Sequence, residues 1–303
     1  STPSRKVRVD PGFRLLSLRG DDGAVRPGLL VGDRVHDIGE RYPSVRSILD
    51  SWDEAQEELT ALAATLQAGE PRGIPVEEAD LAPPVMYPGA LYCAGANYRD
   101  HVIEMSGKPP PADNDRPYFF LKSTRGTIVG ARDDIRLPAR SGQVDWEAEI
   151  GLVIGREARD VAEENAMDYV AGFVVLNDLS ARDHMKRHDV PFLFDWIGQK
   201  CFDTACPMGP WLTPRSAVAD VHDLAITLSV NDTVHQDSNS SEMIFRCETQ
   251  VAYLSRHLTL FPGDIIATGT PAGCGLPNGL FLRSGDVMIT RVEGLGELRN
   301  TVS

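Results

Sequence analysis

Two glutamates at the start of an apolar run constrain this chain more than any other feature. Glu147 and Glu149 are separated by one residue and are followed at once by a buried-strand pattern at residues 150–154. Residues two apart share one face of a strand, so both carboxylates point the same way as the chain enters the core. No Lys or Arg lies between Asp145 and Arg156. Two like charges this close require protons, basic partners or a shared cation, of which a metal is the simplest.

A third carboxylate fits the same design. Another buried-strand pattern at residues 171–176 ends in Asn177 and Asp178. Three carboxylates, with water or substrate in the remaining positions, suit Mg²⁺ or Mn²⁺ better than Zn²⁺, which prefers His and Cys. The sequence therefore predicts a hard divalent metal on Glu147, Glu149 and Asp178. Taken alone, a Glu-x-Glu pair is more often the solvated face of an edge strand.

Six sequence blocks in a fixed order resemble the fumarylacetoacetate hydrolase superfamily. The blocks are G-A-N-Y-R-D-H-V-I-E at 95–104, F-F-L-K at 119–122, D-W-E-A-E at 145–149, N-D-L-S-A-R-D at 177–183, K-C-F-D at 200–203 running to P-M-G-P at 207–210, and P-G-D at 262–264 leading into T-G-T-P-A-G at 268–273. They extend from about residue 87 to the C-terminus, and the first 80 residues carry no motif of comparable strength. The resemblance implies a mixed β-roll and a homodimer.

The strand and turn patterns predict a mixed α/β fold that is predominantly β. We expect a small N-terminal β/α domain with its linker at residues 1–80 and a catalytic domain of the superfamily type at residues 81–303. Strands are predicted at 13–18 and 29–37. A helix is predicted from a capping box at Ser51 and Glu54 to a stop at Gly69, and another at about 242–260.

His101 and Glu104 form a second constellation. They lie three residues apart, on one face of a helix predicted at 98–105. A carboxylate at that spacing can orient an imidazole and raise its basicity, as deprotonation of a water requires. In isolation such a pair is more often solvated at the surface. The resemblance implies a water-activating dyad, carried on a lid that includes residues 106–115.

The resemblance also implies residues that bind substrate. Lys200, expected to be a catalytic residue, would hold a substrate carboxylate or a developing oxyanion. The glycine-rich stretch at 268–275 lacks a Gly-Lys-Ser/Thr ending and is not a phosphate-binding P-loop. Within it, Cys274 stands where relatives usually have an aliphatic residue. Other substrate-binding positions expected from the matching blocks are Arg182, Lys122, Gly269 and Thr270.

Charge and cysteine content restrict the classes of partner and the cellular compartment that we expect. The chain has 303 residues with 44 acidic and 30 basic side chains, which gives a net charge of −14. Such a surface repels nucleic acid and anionic lipid, so we expect neither as a partner. Five cysteines without a C-x-x-C pair indicate free thiols in a reducing compartment. With no 18-residue apolar run and no hydrophobic signal core, we expect a cytoplasmic protein.

These features together predict a Mg²⁺- or Mn²⁺-dependent hydrolase. Its substrate would be a 2,4-diketo acid, similar to an acylpyruvate or to fumarylacetoacetate, cleaved at a carbon–carbon bond by water that His101 and Glu104 activate. One alternative keeps the metal and the enolate but decarboxylates an oxaloacetate-like acid or isomerises a dienoate. Another is a non-catalytic, metal-stabilised binding protein, against which the retained dyad and the open metal site both argue.

Overall fold

Short strands make up most of the regular structure. The structure is a computed structural model that describes residues 10–70, 72–111 and 115–303. Its strands are β1 Arg14–Arg19, β2 Val25–Val31, β3 Arg34–Asp37, β4 Ile74–Pro75, β5 Leu81–Ala82, β6 Leu91–Gly95, β7 Tyr118–Leu121, β8 Ile128–Val129, β9 Val144–Asp145, β10 Ala148–Ile154, β11 Val170–Asn177, β12 Ser180–Ala181, β13 Cys206–Pro214, β14 Ala225–Val230, β15 Thr233–Asn239, β16 Ile265–Ala267, β17 Val287–Val292 and β18 Gly296–Thr301. The α-helices are α1 Val45–Leu49, α2 Trp52–Ala68, α3 Arg99–Ser106, α4 Trp196–Lys200 and α5 Cys247–His257. The mixed, strand-dominated fold is as predicted.

One large sheet runs through the molecule in the order β4-β3-β2-β1-β13-β11-β10-β16-β6-β7, with β5 paired to β1 and β8 to β13. A second sheet has the order β15-β14-β17-β18, and β9 pairs with β12. Strand β10 lies inside the large sheet, antiparallel to both β11 and β16. Its central place explains why its sequence is a continuous apolar run.

Both faces of β10 are buried. Ile150 and Leu152 belong to one apolar cluster, and Val153 belongs to a second cluster on the opposite face. The period of two therefore places Glu147 and Glu149 on the Val153 side of the sheet. Strand β11 packs closely against β13, because a Cβ added at Gly172 would lie 2.2 Å from the Thr213 carbonyl oxygen.

The N-terminal strands continue the large sheet. Leu15 of β1 pairs with Leu212 of β13, and α2 contributes Leu59 to a cluster that also contains Leu91 and Ile265. The two parts of the chain thus share a sheet and a core. A domain boundary between residues 80 and 81 stays a prediction.

Three local predictions were wrong in detail. The predicted strand at 29–37 is two strands joined by a turn in which Gly32 has a φ of +59°. Helix α2 has the expected ends, but Ser51 makes no side-chain cap bond, and a capping box forms instead between Ser44 and Ser47 at α1.

Helix α5 is shorter than the predicted 242–260. The backbone N–H groups of Ile244 and Phe245 bond to Asn97, which removes these residues from the helical ladder.

Within the described ranges, every helix falls short of a membrane span in length or in apolar character.

Candidate active site

The three predicted carboxylates converge at the end of β10. Ala148 of β10 is paired with Asn177 of β11, and this register brings Asp178 beside Glu147. The Asp178 N–H donates to the Glu147 carbonyl at 2.9 Å, and the Glu147 N–H donates to the Asn177 side chain at 2.9 Å. Glu147, Glu149 and Asp178 are all buried, and one oxygen from each lies within 4.8 Å of the others.

Three cations from other elements neutralise most of this charge. The Lys200 ammonium donates to Glu147 Oε2 and to Asp178 Oδ2, each at 2.7 Å. Arg182 donates to Glu147 Oε1 at 2.7 Å, and Lys122 bonds to Asp178 and to the Leu179 carbonyl. The gap in basic residues from 145 to 156 therefore does not leave the carboxylates without basic partners.

The paired acidic and basic side chains shift each other's pKa toward the charged form. Burial opposes the ionised form of Glu147, yet Lys200 and Arg182 hold the pKa of its carboxyl far below the usual range. Burial likewise opposes the charged form of Lys200, and Asp178 and Glu147 raise its pKa above the usual range. These ion pairs keep both groups charged although both side chains are buried.

Glu149 differs from its two neighbours. Its Oε2 accepts from the Gly269 N–H at 2.9 Å, and among the described residues no Lys, Arg or His is bonded to it. Burial, followed by the charges of Asp178 and Glu147, raises the pKa of this carboxyl well above its usual range. Glu149 thus needs a proton or a further cation. An all-oxygen donor set with one uncompensated carboxylate fits Mg²⁺ or Mn²⁺.

Helix α4 positions Lys200 by local packing. Asp195 caps the helix by accepting from the Gly198 N–H at 2.8 Å. The Trp196 ring stacks on Phe120 with centroids 4.7 Å apart and planes 4° apart. The Lys200 nitrogen lies 5.0 Å from the centroid of Phe120. Cap, stack and cation–π contact together direct the ammonium into the carboxylate cluster.

Helix α3 carries the predicted His–Glu pair. His101 Nδ1 lies 3.6 Å from Glu104 Oε2, with 11% and 19% of the two side chains exposed. The Gly273 N–H donates to both Glu104 oxygens, at 2.9 and 3.0 Å. Burial raises the pKa of Glu104, but hydrogen bonds from His101 and Gly273 outweigh it and lower the pKa overall. We assign the Nδ1 proton toward Glu104, which leaves Nε2 as the basic nitrogen.

The lid stays a prediction. Residues 112–114, near the end of the expected segment at 106–115, lie outside the described residues. Helix α3 itself has no fully buried side chain, and Ser106 to Lys108 are exposed.

A cavity of about 120 Å³ joins the two constellations. His101, Glu147 and Glu149 line it together with Arg182 and Lys200. A larger groove of about 860 Å³, between the first strands and the β17–β18 hairpin, is lined by neither of the two clusters of possible metal ligands found in the described part of the chain. The smaller cavity, which residues of both clusters line, is therefore the candidate active site.

Three predicted substrate-binding residues bond mainly to protein groups. Lys122 is completely buried against Asp178, and the Gly269 N–H is used by Glu149. The Thr270 hydroxyl lines the cavity but donates to the Ala148 carbonyl at 2.9 Å. The geometry assigns these groups to the support of the carboxylates, and their contact with substrate stays a prediction.

Asp145 and Gln236 are structural contributors that the predicted site lacks. Asp145 accepts from the N–H groups of Gly275 and Leu276 and from Arg182, so it ties the carboxylate strand to the glycine-rich loop. Gln236 accepts from Ala148 N–H at 2.8 Å. Asp145 could have been recognised from its place in the D-W-E-A-E block, whereas Gln236 lies in no motif.

The family is decided by a match over most of the chain. The sequence profile described as the C-terminal region of fumarylacetoacetate hydrolase matches residues 90–303. The chain belongs to the fumarylacetoacetate hydrolase family. The expectation drawn from the six sequence blocks is thereby confirmed.

Relatives in this family carry out different reactions. The chain is 36% identical over 302 residues to a mitochondrial oxaloacetate tautomerase of Homo sapiens, covering 99% of this chain and 93% of that one. It is 36% identical over 298 residues to the 2,4-didehydro-3-deoxy-L-rhamnonate hydrolase of Sphingomonas sp., with 94% of each covered. The solved maleylpyruvate hydrolase of Sphingobium sp. SYK-6, in complex with manganese(II) ion and pyruvate, has a TM-score of 0.75 at 29% identity and covers 95% of this chain and 98% of that one.

The comparisons therefore indicate a metal-dependent enzyme of the fumarylacetoacetate hydrolase family. They do not single out carbon–carbon hydrolysis, the reaction expected first from the sequence. Tautomerisation and related chemistry of oxaloacetate-like acids have the better support among the relatives.

Proposed function

We propose that this protein interconverts the keto and enol forms of a small 2-oxo diacid similar to oxaloacetate. The observation that carries the proposal is the cavity, in which an imidazole and a carboxylate cluster face the same space of about 120 Å³. Pockets for drug-sized ligands measure about 300–1,000 Å³. A site this small favours a four-carbon acid over a longer diketo acid.

Glu147, Glu149 and Asp178 are the residues that would hold the divalent ion. When bound, such an ion supplies Lewis acidity and a positive charge beside the 2-oxo acid. Lys200 and Arg182 hold the pKa of Glu147 far below its usual range, so this carboxylate is ionised at neutral pH.

The proton transfer falls to His101. In our proposal Nε2 accepts a proton from the carbon next to the 2-oxo group, and the electron pair of the broken C–H bond forms the carbon–carbon double bond. The imidazolium then returns that proton to the oxygen, which gives the enol. Glu104 holds the imidazole in the tautomer that leaves Nε2 free to accept. Return of the proton to carbon restores the keto form, so no water is consumed.

Hydrolysis of a 2,4-diketo acid is the second candidate. The His101–Glu104 pair favours it, because this arrangement suits deprotonation of a water, and the names of two of the compared proteins include hydrolysis. The two reactions differ in whether solvent oxygen enters the product.

The test compares both substrates with the same enzyme. Oxaloacetate tautomerisation is followed from the enol absorbance, and 2,4-diketo acids are incubated with Mg²⁺ or Mn²⁺ in ¹⁸O-labelled water with products resolved by mass. We expect the enzyme to accelerate enol–keto exchange of oxaloacetate over the uncatalysed rate and to give no ¹⁸O-labelled cleavage products from the 2,4-diketo acids. His101→Ala should slow exchange by about 10²- to 10⁴-fold. Arg41→Ala, at an exposed residue that does not line the cavity, serves as the control. Efficient labelled cleavage with slow exchange would favour hydrolysis.

Assembly and location are also proposals. We propose a homodimer, supported by exposed apolar side chains on and before α4, including Phe192 at 88% and Ile197 at 72%. We expect no nucleic-acid or membrane partner because of the net charge of −14. Light scattering of the purified chain tests it. Location in the cytoplasm stays a prediction, because several relatives are named as mitochondrial proteins.

A further inference from the structure

A second group of possible metal ligands lies beside the carboxylate cluster. His101, Glu104 and Cys274 each offer one ligand atom, and these atoms lie within 4.8 Å of one another. Cys274 Sγ is 3.9 Å from His101 Nδ1, which is 3.6 Å from Glu104 Oε2. The thiol is buried, with 1% of the residue exposed.

These separations are close to those of a tetrahedral zinc site. Zinc binds sulfur at about 2.3 Å and nitrogen or oxygen at about 2.0–2.2 Å, so tetrahedral angles place S and N about 3.6 Å apart and N and O about 3.4 Å apart. The observed separations exceed these values by only about 0.2–0.3 Å. Small side-chain rotations would close the difference.

The donor set differs in kind from the carboxylate cluster. Sulfur, imidazole nitrogen and a single carboxylate oxygen favour Zn²⁺ and Co²⁺, whereas three carboxylates favour Mg²⁺ and Mn²⁺. The Gly273 N–H bonds to both Glu104 oxygens and so orients the carboxylate from outside the cluster. The chain thus places two groups of ligands that prefer different metals next to each other.

We propose that His101, Glu104 and Cys274 form a zinc-binding site that is separate from the carboxylate site. On binding, the Cys274 sulfur loses its proton to solvent and bonds to the ion. The His101 proton moves through solvent from Nδ1 to Nε2, so that the Nδ1 lone pair bonds to the ion. Two ligand negative charges then balance the charge of the ion. Water fills the fourth position, and the cavity lined by His101 gives access.

Zinc at this site would inhibit the enzyme, a consequence that rests on the proposed function. An imidazole that binds a metal through Nδ1 keeps its proton on Nε2. Nε2 then has no lone pair to accept a proton from substrate. The same residues would serve as a base without zinc and as ligands with it.

The experiment uses Co²⁺ as a spectroscopic probe of the full chain in excess Mg²⁺, which fills the carboxylate cluster. We expect the near-ultraviolet charge-transfer absorption of a cobalt–thiolate bond at one equivalent, and its displacement by ZnCl₂. Cys274→Ser should abolish the band and weaken zinc binding on the order of 100-fold or more. Cys93→Ser, an equally buried thiol, should retain both.

Absence of the band in the wild type, or its persistence in Cys274→Ser, would overturn the proposal. Glu104→Gln provides a second variant should Cys274→Ser not fold, and it should weaken zinc binding while keeping the cobalt–thiolate band. The spectra need no turnover, so failure of the proposed function leaves this test intact. With turnover, micromolar zinc should inhibit the wild type and Cys93→Ser, and Cys274→Ser should resist it relative to its own zinc-free rate.

Discussion

Replacing Lys200 by methionine should destabilise the metal-free protein. The Lys200 ammonium is buried and donates to Glu147 and to Asp178 at 2.7 Å each. Methionine keeps a similar length and the apolar stem but removes the charge. Removing one partner from a buried ion pair costs about 3–5 kcal/mol, because the remaining charge stays buried without compensation.

The size of the protein converts this cost into a temperature. An unfolding entropy of about 2.1 cal/mol/K per residue gives about 0.64 kcal/mol/K for 303 residues. A loss of 3–5 kcal/mol should therefore lower the melting temperature by about 5–8 °C.

Divalent metal should reverse much of this loss. A bound cation replaces the missing positive charge, so the increase in melting temperature produced by MnCl₂ should be larger in Lys200→Met than in the wild type. Circular dichroism melts in chelator and in excess MnCl₂ measure both effects, with Lys108→Met, an exposed lysine, as the control. The reasoning fails if Lys200→Met melts with the wild type in chelator or gains no more from metal.

The structure also predicts the direction in which three other substitutions change metal affinity or stability. Glu149→Gln should lower Mn²⁺ affinity in calorimetry without lowering the melting temperature in chelator, because this carboxylate lacks a bonded cation. Gly172→Ala should destabilise the large sheet by more than about 1 kcal/mol in urea unfolding, since its Cβ would meet the Thr213 carbonyl, whereas Gly142→Ala has open space and should not. The pKa of Glu248 is lowered, because its hydrogen bond from Arg246 outweighs burial; its ionised form stabilises the fold above about pH 4.5 and loses that effect as pH falls through the folded pKa. Glu248→Gln should therefore lose less stability than the wild type on acidification, and equal losses in urea titrations would contradict the assignment.

The sequence predicted the carboxylates because strand geometry is local. A period of two and two buried-strand patterns suffice to align Glu147 with Glu149 and to place Asp178 at a strand end. The pairing of Ala148 with Asn177 then brings the two strand ends together. Likewise, a spacing of three residues placed His101 beside Glu104 on α3.

The sequence blocks identified Lys122, Arg182 and Lys200 as site residues, but not as partners of the carboxylates, because these contacts depend on long-range packing. Lys122 follows β7, Lys200 ends α4, and the two meet at Asp178 only after the sheet and α4 have formed. The proximity of Cys274 to His101 has the same origin, because a loop 173 residues away in sequence returns to α3. No periodic pattern in the sequence predicts either contact.

The coupled charges at the end of β10 decide where this enzyme can be redesigned. Glu147 is shared between two cations and joined by its backbone to Asp178, so a substitution there disturbs several ion pairs at once. Met185, in contrast, is a half-buried residue that lines the cavity and takes part in none of these ion pairs. A library that randomises this position should yield mostly folded proteins, and selection for new acids can act there while the charged residues stay constant.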